Sequence, residues 1–211
     1  MEIKWLGETT FLIKSSTGKR ILINPIKLNS YITNYEFQPD LITLSNSQYI
    51  YKTNSSLKTD CKIIDCCNNY KNEYISIEGY NTYSDDIKGL KRGENTIFVF
   101  EIDNLKFCHL GTLGHNLENS LISKLKNLDF LFVPIGGHFS LNGLDAAILS
   151  NNINPKYIIP MLYKTSLENS YLDGPYKFIS HMENITKFNN SKIQTSELSF
   201  NKNNSVIMLT P

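Results

Sequence analysis

Among the side chains able to do chemistry are four histidines, two of which directly follow a glycine. His109 begins a His-Leu-Gly phrase, His115 follows Gly114, and His138 follows Gly136 and Gly137; His181 stands apart. An imidazole can ligate a metal or move a proton near neutral pH. By residue type alone each is more often a satisfied core or surface group. Glu8, Asp85 and His115 could supply acid–base groups, but no nucleophile–base pair can be placed from their spacing. Gly136 and Gly137 permit either a close ligand approach to the backbone or a tight turn at a strand end. Cys61, Cys66 and Cys67 do not form a CxxC pair and have no histidine nearby, so packing thiols are expected rather than a metal clip.

The elements that must position these groups fall into two rhythms. Alternating or apolar runs over 3–6, 10–14, 20–24, 41–44, 62–65, 74–78, 96–102 and 106–110 predict strands, with Asp103-Asn104 as a hairpin turn. Further on, Leu117, Leu121, Leu125 and Leu128 predict a helix capped by Asn116. A strand over 129–134 follows. Asn142 with Asp145 forms a relaxed capping box for a helix carrying Leu144, Ala147 and Ile148, stopped by Pro155. Strands over 157–160 and 205–209 bracket a short helix opened by Pro175, with Phe178, Ile179 and Met182 on one face. Strands first and strand–helix alternation later predict an α/β fold with helices outside paired sheets, as one domain over 1–211.

Composition narrows the function classes. A net charge of +1 without a basic stripe argues against nucleic acid. No apolar run approaches a bilayer span, and the first residues lack the pattern of a signal peptide. A cytoplasmic protein with four reduced thiols, Cys108 included, is therefore expected.

Several phrases in order resemble the metal-dependent hydrolases of the metallo-β-lactamase fold, especially the compact lactonase-like branch. They are Trp5-Leu6-Gly7 with Thr10-Phe11-Leu12-Ile13, Arg20-Ile21-Leu22-Ile23-Asn24-Pro25, Arg92-Gly93-Glu94-Asn95-Thr96-Ile97-Phe98, His109-Leu110-Gly111, Pro134-Ile135-Gly136-Gly137-His138 and Ile159-Pro160-Met161. The resemblance implies a four-layer αββα sandwich with a two-metal site at one sheet edge. It also implies where the ligands should stand. The His-x-His-x-Asp-His stretch falls on Asn46, Gln48, Ile50 and Tyr51; the lone His falls on Ser84 beside Asp85, the bridging Asp on Thr112 and the last His on Leu162. Glu8 stands where that branch often has His.

Amides, hydroxyls and aliphatic groups are poor ligands for a divalent cation, and without one no hydroxide nucleophile forms at neutral pH. The expectation from the resemblance is therefore a catalytically inactive homologue with no metal and no cofactor. It would bind a small polar ligand or a protein partner. Glu8, Asp85, His115, Gly137 and His138 are its candidate pocket residues. Two alternatives stay open: a hydrolase with a rebuilt or metal-independent site, and a structural subunit pairing with itself or with a homologue.

Overall fold

A computed structural model describes residues 1–25, 38–46, 61–166 and 171–211. A six-stranded sheet holds β1 (Glu2–Trp5), β2 (Phe11–Lys14), β3 (Arg20–Ile23), β4 (Leu41–Thr43), β5 (Lys62–Ile64) and β13 (Lys192–Gln194) in the order β13-β1-β2-β3-β4-β5. An eight-stranded sheet holds β6 (Tyr70–Lys71), β7 (Ser76–Tyr83), β8 (Glu94–Ile102), β9 (Leu105–His109), β10 (Phe130–Pro134), β11 (Tyr157–Met161), β12 (Ile185–Lys187) and β14 (Ser205–Met208). Its order is β12-β14-β11-β10-β9-β8-β7-β6.

The strands alternate where one face is wet and run continuously apolar where both are covered, as sheet burial dictates. All five residues of β10 and of β11 are buried, and these two central strands pair in parallel. Antiparallel β7 and β8 form the long hairpin, in register from Ser76 opposite Glu101 to Tyr83 opposite Glu94. The sheets meet face to face through aromatic rings: Phe11 of β2 lies 4.5 Å from Phe132 of β10. Phe107 stacks on Phe100 and Phe130 within the larger sheet. Each such ring, fully buried, contributes about 1.5–3 kcal/mol relative to exposure.

Helix α2 (Gly143–Ile153) packs on β10 and on α3 (Tyr176–Ile179). Asn142 caps α2, its Oδ1 accepting from the N–H groups of Leu144 and Asp145 at 3.0 and 3.1 Å. The helix expected after Asn142 is present and contains Leu144, Ala147 and Ile148. Ala146, Ala147, Leu149 and Ile153 are buried, whereas Leu144 and Ile148 are 43% and 49% exposed. A helix this rich in Ala and Asn has no sharp apolar stripe, so its phase is set by what it packs on. The helix ends at Asn154, which takes the left-handed conformation before Pro155.

Helix α1 (Asn119–Lys124) begins after Glu118, not at Asn116, because Asn116 Oδ1 is not its cap and His115 and Asn116 belong to the preceding loop. Strands β6, β12 and β13 have no apolar alternation of their own and were not anticipated. They are short edge or flanking strands held by their neighbours. Among the described residues no helix is long and apolar enough to cross a membrane.

Candidate functional site

Loops at one edge of the paired sheets carry a concentration of left-handed backbone. Glu8, Asn24, His138 and Leu162 have φ of 44°, 43°, 50° and 51°, and Gly111 and Gly137 have 61° and 66°. Such conformations cost a non-glycine residue roughly 1–2 kcal/mol and tend to gather at functional sites. The loops also lock together. Leu162 N–H donates to the Glu8 carbonyl at 3.0 Å, and that carbonyl also accepts from Trp5 Nε1 at 3.0 Å. A Cβ on Gly136 would lie 2.2 Å from the Leu162 carbonyl oxygen, so only glycine permits this approach. Burial raises the Glu8 carboxyl above its ordinary range.

Three positions assigned to metal ligands by resemblance meet in space. Asn46 Nδ2 donates to Ser84 Oγ at 3.3 Å, and Ser84 Oγ and Thr112 Oγ1 lie 2.7 Å apart. Asn95 organises them. Its Oδ1 accepts from Thr112 N–H at 2.9 Å, while its Nδ2 donates to Thr82 Oγ1 and the Leu110 carbonyl at 2.8 and 3.0 Å. Nothing in the sequence singled out Asn95 beyond its place in the Arg92–Phe98 phrase; its signal is an amide near the start of β8, just before the apolar run Ile97–Phe100. Leu162 is buried at the Glu8 and Gly136 loops. Gln48, Ile50 and Tyr51 lie outside the described residues.

Asp85 and His109 are held for structural duties. The Asp85 carboxylate accepts from the backbone N–H groups of Ile87, Gly89, Lys91 and Arg92 at 2.7–3.0 Å, closing the loop into β8. Burial alone would raise its pKa, but these donors hold it below the ordinary carboxylate value. His109 is fully buried; Nε2 donates to the Thr9 carbonyl at 3.0 Å and Nδ1 accepts from Gly111 N–H at 3.2 Å. Burial pushes its pKa down to about 3, the Thr9 bond opposing only in part.

A polar cavity of about 370 Å³ opens beside these loops, lined among others by Asp86, Arg92, His115, His138, Asn142 and Asp145. Of the candidate pocket residues, His115, Gly137 and His138 line it. Glu8 and Asp85 are not in its wall: one faces Leu162 and the other is committed to its own loop. His115 is fixed in place, Nδ1 against the Asn116 carbonyl at 2.8 Å and Nε2 accepting from Tyr83 N–H at 3.2 Å. His138 is open to solvent, with Nε2 3.8 Å from Asp173 Oδ1. Asp173 is held beneath it by Lys177 at 3.2 Å and lies 3.4 Å from where a Cβ on Gly137 would stand. The Arg92 guanidinium sits over the Phe139 ring at 5.5 Å.

Among the described residues, the donors at the three meeting positions are poor ligands for a divalent cation. The Asn46–Ser84–Thr112 cluster offers amide and hydroxyl groups already bonded to one another, and the adjacent Asp85 carboxylate is spent on backbone donors. Among the described residues no group of three or more His, Cys, Asp or Glu is placed to hold a metal ion.

Two facing sheets, with loops meeting at one edge, define the metallo-β-lactamase fold, and the comparisons agree. The sequence profile of the Beta-lactamase superfamily domain matches residues 2–162, and the chain belongs to that family. It is similar to a "UPF0173 metal-dependent hydrolase" of Caldivirga maquilingensis, 26% identical over 192 residues, covering 77% of this chain and 82% of the relative. A protein of the same name from Methanobrevibacter smithii is 25% identical over 197 residues, covering 78% and 82%. Among solved structures, a Thermotoga maritima protein assigned to the Zn-dependent hydrolases of the metallo-β-lactamase superfamily superposes with a TM-score of 0.80. It is 26% identical and covers 100% of this chain and 99% of that one. The metallo hydrolase Igni18 of Ignicoccus hospitalis, 18% identical with a TM-score of 0.65, shares the fold, covering 100% and 95%. These relatives overturn the expectation of an inactive homologue: the chain's similarity runs to proteins named as hydrolases.

Proposed function

We propose that the chain is a hydrolase whose catalytic centre is rebuilt, without a metal, in the Arg92–His115–His138 pocket. The observation that carries this reading is His138, which lines the pocket on the second of two successive left-handed residues, Gly137 and His138, with Asp173 Oδ1 3.8 Å from its Nε2. Strain of that kind is retained where the surrounding structure enforces it. It presents an accessible imidazole with a carboxylate behind it, the arrangement general-base catalysis requires.

In this mechanism the Nε2 proton turns toward Asp173, 3.8 Å away, and Nδ1 is the base. Nδ1 takes a proton from water as the water oxygen attacks an ester carbonyl. Asp173 stabilises the imidazolium that forms, and Arg92 holds the developing negative oxygen. The ring then returns the proton to the departing alcohol as the carbon–oxygen bond breaks, leaving a carboxylic acid and an alcohol. In the same reading Asn46, Ser84, Thr112 and Leu162 keep the loops joined.

The test is hydrolysis of a fluorogenic ester panel by protein of measured metal content. The expected result is turnover that survives chelation and falls in His138→Ala while the circular dichroism spectrum is kept. Turnover that chelation abolishes and zinc restores would overturn the reading, as would an unchanged rate in His138→Ala or no turnover at all.

A further inference from the structure

Five buried side-chain atoms among the described residues have no hydrogen-bond partner, and four belong to residues on segments that hydrogen bonds tie together: Thr9 Oγ1, Asn24 Nδ2, Thr43 Oγ1 and Ser45 Oγ. Asn24 follows β3, Ser45 lies just beyond β4, and Asn24 Oδ1 accepts from Ser45 N–H at 2.7 Å. Asn24 N–H donates to the Thr43 carbonyl at 2.8 Å. Thr10 Oγ1 donates to the Asn24 carbonyl at 2.7 Å, which draws in neighbouring Thr9. Thr43 shares a strand face with Leu41, whose side chain joins the core between the sheets. From the opposite sheet, His109 reaches the Thr9 carbonyl at 3.0 Å. All four residues are 2% exposed or less.

Buried hydroxyl and amide groups in native folds are almost always bonded to something, because leaving them unpaired is costly. Four on segments tied in this way are therefore a feature to explain. Their chemistry is specific. Three hydroxyls and one amide nitrogen all offer hydrogens, and none is ionised. His109, beside them, is kept neutral by burial. A charged ligand would enter without a counter-charge, whereas an uncharged acceptor would satisfy several donors at once. Gly111 closes one wall: a Cβ there would lie 2.9 Å from Ser45 Oγ.

We propose that Thr9, Asn24, Thr43 and Ser45 form a second binding site, distinct from the His138 pocket, that takes the carbonyl end of a small uncharged carboxamide. The site stands independently of the hydrolase reading, since none of its residues lines that pocket.

Protein labelled with 13C at threonine methyls, titrated separately with acetamide and with acetate, tests it. Acetamide is expected to shift the Thr9 and Thr43 methyl signals saturably, with acetate binding at least tenfold more weakly. Thr43→Val, followed through Thr9, should weaken acetamide binding at least tenfold; if that variant fails to fold, Ser45→Ala is read instead. No saturable shift, equal binding of acetate, or unchanged acetamide binding in the variant that folds would overturn the proposal. Any of these would leave the His138 test untouched, because that test reads ester turnover and its loss in His138→Ala.

Discussion

Two neighbouring regions of this molecule, built by the same loops, have opposite electrostatic character. The Asn46–Ser84–Thr112 cluster is buried, neutral and bonded inward through Asn95. The adjoining pocket is open and charged, with Arg92, Asp86, Asp145 and two imidazoles in its wall. Gly114 joins them: it lines the pocket, and a Cβ there would lie 2.2 Å from the Ser84 carbonyl oxygen. The contrast separates what holds the loops from what is available to a substrate. A group bonded on every side has no capacity left for chemistry, and a group at a pocket mouth does.

The largest expected effect tests the open side. His138→Ala should lower ester turnover by about 10²–10⁴-fold, the range for removing a general base, with the melting temperature nearly unchanged because the side chain is 56% exposed. A variant that lost stability instead would move His138 to the structural side of the comparison.

Gly111→Ala should do the reverse. At φ +61°, its new Cβ would lie 2.2 Å from Asn95 Oδ1 and 2.7 Å from Ser45 Cβ. Left-handed strain and overpacking together predict a loss of about 2–4 kcal/mol, read as a lower urea midpoint with unchanged slope.

An effect confined to acid pH comes from His109. Its pKa in the fold is about 3, below the ordinary value of about 6.5 in the unfolded chain. The unfolded state therefore binds the proton first. The stability available above pH about 6.5 is lost as pH falls toward the folded value, by up to about 1.4 kcal/mol per pH unit. His109→Gln should flatten this part of the stability–pH curve. Unaltered pH dependence in that variant would show that other groups set it.

Much of this arrangement can be traced to individual residues. The apolar runs that became β2, β3, β8, β9, β10 and β11 are legible because strand burial repeats at short range. Asn142 is legible as a cap because its partners are two and three residues away. Resemblance brought Asn46, Ser84 and Thr112 forward, and they do meet, though sequence could not say that they bond to one another. The start of α1 was misplaced because Asn116 is as good a capping residue as any, and the loop around His115 decides the matter. Asn95 was invisible as a hub because its partners come from β7 and the turn after β9. The expectation of inactivity came from weighing absent ligands while the pairing of His138 with Asp173, separated by α2, β11 and their loops, could not be seen.

That pairing supports the finest test. His138 and Asp173 are 3.8 Å apart, with side chains 56% and 35% exposed, and Lys177 shares the carboxylate. Exposed pairs of this kind contribute about 0–1 kcal/mol to stability, so Asp173→Asn should leave the melting temperature almost unchanged. Its effect belongs to catalysis, where the carboxylate stabilises an imidazolium that exists only during reaction. Such an interaction lowers kcat without raising KM when it is lost, and at this separation about tenfold or less is expected, in line with the modest energy of an exposed pair. Lys177→Ala should do less still, since it holds Asp173 rather than His138. The decisive measurement is the double variant. If Asp173 acts through His138, then His138→Ala with Asp173→Asn should be no slower than His138→Ala alone, because residues working as one unit are not additive. Additive losses would mean that Asp173 contributes by another route, and the open pocket would then have to be understood through Arg92 and Asp145 instead.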